Sequence, residues 1–173
     1  MTISKLAAGA AMLATMTVAP ALLAASDTNI KGVESAKMSL SEAVMAAQKE
    51  DSGKAIFAKY DTADGAGNYL VTVVTAAGKK DDVKVDPMTG QATKASVSNS
   101  GSTSRAGAQT IEQAKLGLTD AIQKAEMNGG KAMRATLDTE KGKTAYKVDL
   151  AQGDKSHTVW IDANSGSLLS RSS

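Results

Sequence analysis

The sequence predicts an α+β protein of two repeats, each a helix packed on a three- to four-stranded antiparallel meander sheet. Two observations lead to this fold class: one turn occurs twice, and the hydrophobic period changes once within each half. The turn VDPMTG, which contains Asp86 and Gly90, returns near the end of the chain as IDANSG, with Asp162 and Gly166. Self-similarity at a fixed spacing is the signature of repeated structural units, so we interpret the chain as two copies of one unit.

The segments that precede the two turns also align. Identical residues keep their spacing with only small gaps, and the gaps fall where loops are expected. The alignment predicts a first repeat at 30–95, a Ser/Gly-rich linker at 96–109 and a second repeat at 110–171. The coinciding pairs include Glu34 and Glu112, Lys37 and Lys115, Gly53 and Gly130, Asp61 and Asp138, and Tyr69 and Tyr146.

Each copy is predicted to begin with an amphipathic helix, because apolar residues recur there at i, i+3, i+4 and i+7. Ser39 and Glu42 form a capping box at the start of the first helix, whereas the second copy has Gly117 at the cap, which is weaker. Gly53 and Gly129–Gly130 are expected to end the helices in the left-handed conformation. The helical stripes are Leu40, Ala43, Val44 and Ala47 in copy one and Leu118, Ala121, Ile122 and Ala125 in copy two.

After each glycine the apolar residues alternate with polar ones, which predicts half-buried strands. The polar segments DTADGAGN and DTEKGKTA separate the first two strands of each copy and are expected to be hairpin connections. The alternating residues are Ile56, Ala58 and Tyr60, then Tyr69, Val71 and Val73, then Val83 and Val85 in copy one, and Met133, Ala135 and Leu137, then Tyr146, Val148 and Leu150, then Val159 and Ile161 in copy two.

The repeated turn has a structural explanation. The carboxylates of Asp86 and Asp162 can accept hydrogen bonds from backbone N–H groups two or three residues later. Pro87 presets the dihedral angle of the first turn, and Gly90 and Gly166 supply the positive φ that reverses the chain. We therefore interpret these four aspartate and glycine residues as structural turn residues.

Residues 1–25 are predicted to be a secretory signal peptide. Lys5 precedes an apolar, small-residue stretch, and small residues follow it where a signal peptidase cuts. The chain has no cysteine, so neither a disulfide framework nor a lipoprotein thiol is expected. We expect a periplasmic or secreted protein with no stable membrane insertion after cleavage. The near balance of 20 basic and 18 acidic residues argues against a nucleic-acid partner.

The two copies resemble the PepSY domain family. The resemblance is carried by SLSEAVMAAQKEDSGK, the Tyr69-x-Val71-x-Val73 strand and VKVDPMTGQA, and in copy two by LTDAIQKAEMNGGK, Tyr146 and VWIDANSGSL. Copy two departs from the pattern where Asn-Ser replaces the usual threonine before the glycine. The resemblance implies an exported or membrane-exposed α+β module that regulates or inhibits peptidases outside the cytoplasm, and it brings no catalytic residues.

The residues themselves indicate no catalytic or metal chemistry, so no cofactor is expected. His157 is the single histidine, and without cysteine it has no thiol partner, so we interpret it as an incidental strand residue. The segment DTADGAGN does not have the spacing of a calcium loop, and its counterpart DTEKGKTA has lysines where ligands are needed. The serines form no G-x-S-x-G motif.

The face of each sheet that no helix of its own copy covers is the candidate binding surface. Phe57, Leu70, Val74 and Trp160 are out of phase with the core residues and are expected to lie on this second face. Apolar groups left exposed among lysines and threonines suggest that something packs on them. The two copies could bury these faces against each other, or a partner protein or a homodimer could cover them.

Two classes of function therefore remain open from sequence. The first is a non-catalytic exported binding module that modulates or inhibits an extracytoplasmic peptidase through the sheet face or a strand edge. The second is a structural or sensory protein of the cell envelope that binds another envelope component and has no peptidase partner. An enzyme is disfavoured, because no nucleophile, acid/base pair or metal cluster is apparent.

Overall fold

The computed structural model describes residues 29–63, 65–95 and 108–172. The predicted signal peptide and residues 96–107 of the predicted linker lie outside the described residues. Helix α3 begins at Ala108, two residues before the predicted start of the second repeat. The four described helices are α1 at residues 29–35, α2 at Leu40–Glu50, α3 at Ala108–Gln113 and α4 at Leu118–Glu126.

The eight described strands form one antiparallel sheet in the order β4-β3-β2-β1-β5-β6-β7-β8. The α+β class is therefore confirmed. Consecutive strands of each half pair with each other, and β1 pairs with β5 to join the halves. The strands are β1 Lys54–Asp61, β2 Asn68–Val74, β3 Lys80–Val85, β4 Ala92–Lys94, β5 Lys131–Glu140, β6 Lys143–Gln152, β7 Lys155–Asp162 and β8 Leu168–Ser172.

The two long helices form where the apolar stripes predict them. Ser39 and Glu42 make the capping box of α2, with both reciprocal hydrogen bonds present. Gly117 caps α4 without a side-chain hydrogen bond, as its lack of a side chain requires. All eight predicted stripe residues are buried, so the predicted helix faces are confirmed: Leu40, Ala43, Val44, Ala47, Leu118, Ala121, Ile122 and Ala125.

Both long helices lie on the same side of the sheet and pack against each other. Their stripes meet the inward residues of the strands in one continuous hydrophobic core that spans both halves. The hydroxyl of Tyr69 donates to the carbonyl of Met38 at 2.6 Å, and that of Tyr146 donates to the carbonyl of Leu116 at 2.6 Å. These two equivalent bonds anchor the loops that lead into α2 and α4 to the centre of the sheet.

The junction between the halves lies at β1 and β5. Ala58 pairs with Ala135, and Phe57 and Lys59 pair with Thr136 and Arg134 on either side. Ala58 and Ala135 are also equivalent in the repeat alignment, so a local pseudo-two-fold axis passes between them. Small side chains at this point let the two strands be buried under both helices.

Two lysines link the halves reciprocally. Lys54, at the start of β1, donates its Nζ to the carbonyls of Ile111, at 2.7 Å, and Ala114, at the end of α3. Its equivalent, Lys131, at the start of β5, donates to the carbonyl of Glu34 at 3.1 Å, in α1. Each half therefore satisfies helix carbonyls of the other half, which have no partner within their own helix.

Gly53 has a different role from the one expected. It does not have a positive φ, whereas Gly129 and Gly130 do, at 95° and 102°. A Cβ at Gly53 would collide with the backbone carbonyl of Val74. The expectation of a left-handed Gly53 is therefore wrong, and glycine is required there by the close approach of β2.

Candidate functional site

The repeated turn is built from hydrogen bonds to one carboxylate oxygen. Asp86 Oδ1 accepts from the backbone N–H of Met88 at 2.7 Å and of Thr89 at 2.9 Å. In the second half, Asp162 Oδ1 accepts from the two equivalent N–H groups, both at 2.9 Å. These backbone hydrogen bonds lower the pKa of both aspartates. Gly90 and Gly166 have φ values of 76° and 72°.

Titratable side chains are buried at the edge of the core near the end of α2. Asp51 and Asp81 are each 7% exposed. Lys94 of β4 lies 3.0 Å from Asp51, and Lys79 lies 2.6 Å from Asp81, so both carboxylates have a cationic partner. The hydrogen bond from Lys79 is the main cause of the lowered pKa of Asp81. This cluster ties the short edge strand β4 to α2 and is structural.

His157 occupies the position equivalent to Asp81 in the second half. It lies in β7 on the helix-covered side of the sheet, is 7% exposed and has no hydrogen-bond partner at Nε2 among the described residues. Burial lowers the pKa of His157, and the charge of Arg171 lowers it further. Its environment therefore favours the neutral imidazole.

The other side of the sheet is the candidate functional site, and we call it the open face. It consists of the strand residues that point away from α2 and α4. The helices of both halves lie on the opposite side, so the two halves do not bury their open faces against each other. Its central members are Phe57, Lys59, Leu70, Thr72, Val74, Asp82, Lys84, Arg134, Thr136, Lys147, Asp149, Thr158 and Trp160.

All four residues predicted to bind a partner lie on the open face. Leu70, Val74 and Trp160 are half-buried. Phe57 is only 8% exposed and belongs to the hydrophobic core cluster, and the Arg134 guanidinium lies 5.4 Å from the centre of its ring. Phe57 is therefore less accessible than we expected from the sequence, and a partner would meet Arg134 before it met the ring.

The strand register arranges these residues in two rows that run across the sheet. Trp160 and Phe57 belong to the same row, three strands apart, which corresponds to about 14 Å at the usual strand spacing. Leu70 is in the adjacent row. The first row is Asp82, Thr72, Phe57, Thr136, Lys147 and Trp160, and the second is Lys84, Leu70, Lys59, Arg134, Asp149 and Thr158.

The two halves have equivalent cross-strand pairs on the open face, but the two residue types of each pair lie on swapped strands. Leu70 of β2 faces Lys84 of β3, whereas the equivalent strands have Lys147 on β6 and Trp160 on β7. The hydrogen-bonded pairs are exchanged in the same way. Thr72 on β2 donates to Asp82 on β3 at 2.6 Å, and Thr158 on β7 donates to Asp149 on β6 at 2.7 Å.

The cations of the open face were missed in the sequence analysis, which searched for apolar residues. Lys59, Lys84, Arg134 and Lys147 are the members that carry positive charge. Their signal was present in the alternation, since each is a polar residue beside buried ones. Their alignment in rows, however, depends on the pairing of β1 with β5, which no local pattern specifies.

A small cavity lies beside the second row, at the β1–β2 end of the open face. Its volume is about 150 Å³, and Leu70 and Lys84 contribute to its lining together with Asp61, Ala63 and Asn68. Lys59 lies 2.6 Å from Asp61 Oδ2. The cavity is large enough for one side chain of a partner.

Within the described ranges, histidine and acidic side chains form no group of three that could hold a metal ion. No helix in the part of the chain that the structure describes has the length and apolarity needed to cross a bilayer.

Comparison with known proteins gives one family. The model of PepSY, described as "Peptidase propeptide and YPEB domain", matches residues 37–95 and again residues 115–171. No curated protein matches the chain in sequence. Among solved structures, a protein of Clostridium difficile 630 provisionally classed as a lipoprotein is 15% identical with a TM-score of 0.42, over 79% of this chain and 93% of that chain.

Proposed function

Because the chain belongs to the PepSY family, we propose that it is a non-catalytic binding module that acts on an extracytoplasmic peptidase through the open face of its sheet. PepSY domains are propeptide-like or inhibitor-like modules that are generally extracytoplasmic and typically interact with peptidases. The two matched regions correspond to the two four-strand halves, which we interpret as two meander repeats within one sheet. A protein delivered by the signal peptide at 1–25 would meet such peptidases in the periplasm or outside the cell.

The observation that carries this proposal is the contrast between the two sides of the sheet. One side is sealed by α2 and α4 and contributes only to the core. The other side presents the half-buried Leu70, Val74 and Trp160 among cations and hydroxyls. Protein interfaces combine such apolar anchors with a polar surround, and tryptophan and arginine are enriched in them.

The proposal is tested with the exported protein and a panel of extracytoplasmic peptidases. Trp160 is the only tryptophan of the chain, so its emission and quenching report on the open face. We expect Trp160 to become protected from quencher as the activity of a responsive peptidase falls. Peptidases that leave Trp160 unchanged should keep their activity.

Variants identify the surface. Leu70→Asp places a charge on the open face and should weaken inhibition by about 10-fold or more, as loss of a central apolar anchor does. Met127→Asp is the matched control, because Met127 is 86% exposed at the end of α4. Equal loss in both variants would argue against the open face as the contact surface. Protection of Trp160 with no peptidase responding would argue for an envelope protein that has another kind of partner.

A further inference from the structure

Four adjacent members of the second row of the open face are three cations and one leucine. Lys84 on β3, Leu70 on β2, Lys59 on β1 and Arg134 on β5 follow one another on four adjacent strands. Lys84 and Arg134 are exposed. We call these four residues the basic row. Adjacent strands are about 4.8 Å apart, so the basic row is about 14 Å long.

The acidic residues near the basic row are already engaged. Thr72 donates to Asp82 and Thr158 donates to Asp149, and both aspartates are half-buried. Asp61 is bound to Lys59 at 2.6 Å. The longer cationic side chains project beyond these short carboxylates, so the outermost charge of this part of the open face is positive.

Arg134 is the exposed cation of the basic row at the junction between the halves. Lys59 and Arg134 are directly opposite each other where β1 meets β5. Lys59 pairs with Asp61, and Arg134 also faces Asp149 across the β5–β6 pair. Arg134 has no carboxylate within ion-pair distance among the described residues and lies over the Phe57 ring. A bound carboxylate at this point could accept both N–H groups of the guanidinium fork.

We propose that the segment docking on the open face is an acidic stretch of polypeptide that lies along the basic row, across β3, β2, β1 and β5. This inference rests on the proposed function and names the chemistry of its partner. Carboxylates of the segment pair with Arg134, Lys59 and Lys84, and an apolar side chain between them contacts Leu70. The basic row thus sets the charge that a partner must have, while the apolar residues of the open face contribute buried apolar area.

The test uses three synthetic peptides with the exported protein, and Trp160 emission together with calorimetry gives the affinity. The peptides are three repeats of Glu-Leu-Glu-Ser, of Gln-Leu-Gln-Ser and of Lys-Leu-Lys-Ser. At low salt we expect the glutamate peptide to bind at least about 10-fold more tightly than the glutamine peptide, and the lysine peptide most weakly. Raising the salt concentration to about 0.5 M should remove most of the difference, because exposed charges are then screened.

Charge reversal separates the basic row from the net charge of the protein. The double variant K59E/R134E should lose the preference for the glutamate peptide. The matched control K49E/K124E makes the same charge change on the exposed surfaces of α2 and α4 and should keep it. If the double reversal fails to fold by circular dichroism, K59Q/R134Q replaces it and should also lose the preference.

Three outcomes overturn the inference: equal affinity for the three peptides, no binding of any of them, or equal loss in K49E/K124E. Polyphosphate that displaces the glutamate peptide at equal charge concentration would also overturn it, since the site would then select anions rather than polypeptide. The proposed function is judged separately. A peptidase that is inhibited through the open face without any preference for acidic peptides leaves the function standing and removes the inference.

Discussion

At the scale of single residues, His157 connects the stability of the protein to pH. Its imidazole is buried on the helix-covered side of the sheet, and its pKa is lowered by burial and by Arg171. In the unfolded chain an ordinary histidine takes up a proton near pH 6.5. Below that pH the unfolded state therefore binds more protons than the folded state, and the free energy of unfolding decreases as pH falls.

We predict that His157→Gln reduces this pH dependence. Between pH 7.5 and pH 5.5 the wild type should lose more stability than the variant, by less than about 1.4 kcal/mol per pH unit, the limit for one proton. Urea unfolding at several pH values measures the difference. Glutamine keeps a polar side chain that does not titrate, so parallel pH profiles for the two proteins would contradict the prediction.

The hydroxyls of Tyr69 and Tyr146 show how strongly the two halves repeat each other in detail. Each hydroxyl donates to a loop carbonyl at 2.6 Å. Burial is the main cause of the raised pKa of Tyr69, and it raises the pKa of Tyr146 to about 12. Both phenols therefore stay protonated, and both remain donors, throughout the physiological pH range.

At the scale of elements, the lysines that begin β1 and β5 join helices of opposite halves. Lys54 donates hydrogen bonds to two carbonyls at the end of α3, and burial lowers its pKa. Lys131 donates a hydrogen bond to one carbonyl in α1 and is exposed. The sequence comparison aligns Lys54 with Lys131, but only the packing of the halves shows that each acts across the junction.

We predict that Lys54→Met costs about 1 kcal/mol of stability and Lys131→Met distinctly less. The difference follows from the number of carbonyls that each lysine satisfies and from the screening of exposed charges. Methionine keeps the unbranched stem and removes the donor. Denaturant unfolding of both variants measures the two losses, and a larger loss for Lys131→Met would refute this ranking.

The helices and the class of the fold could be predicted because their signals are local. The stripe from Leu40 to Ala47 and the capping box at Ser39 are each contained within one or two turns of helix. The pairing of β1 with β5 has no local signal of that kind. One hint was available: residues 55–58 form a continuous apolar run, Ala-Ile-Phe-Ala, which is typical of a central strand.

The open face could be predicted only in part. Alternation assigns Leu70, Val74 and Trp160 to the second face, but it gives neither their distances nor their neighbours. The contact of Arg134 with the Phe57 ring arises across the junction between halves, because the two residues are on strands that are far apart in sequence. For the same reason the basic row became visible only when the strand order was known.

At the scale of the whole molecule, the continuous sheet and core imply that the halves unfold together. Strands β1 and β5 pair directly, α2 packs against α4, and one hydrophobic cluster contains residues of both halves. Neither half can expose the junction without uncovering the core of the other. A single domain of this kind usually unfolds in one cooperative transition.

We predict one calorimetric transition for the wild type, with equal calorimetric and van't Hoff enthalpies. Thr136→Pro removes a ladder N–H from the central strand β5 and should lower the free energy of unfolding by about 3 kcal/mol or more. The control Thr93→Pro places proline in the short edge strand β4 and should cost much less. Two separate transitions in the wild type would show that the halves are independent.

The exchanged cross-strand pairs have a consequence for how a partner can be oriented. A scaffold with two-fold symmetry would accept an extended segment equally well in either chain direction, so half of all encounters would produce a reversed complex. On this sheet the equivalent of the leucine–lysine pair of β2 and β3 is a lysine–tryptophan pair on β6 and β7. The backbone is nearly symmetric, but the side chains of the open face are not. The open face can therefore favour one chain direction of a bound segment over the other.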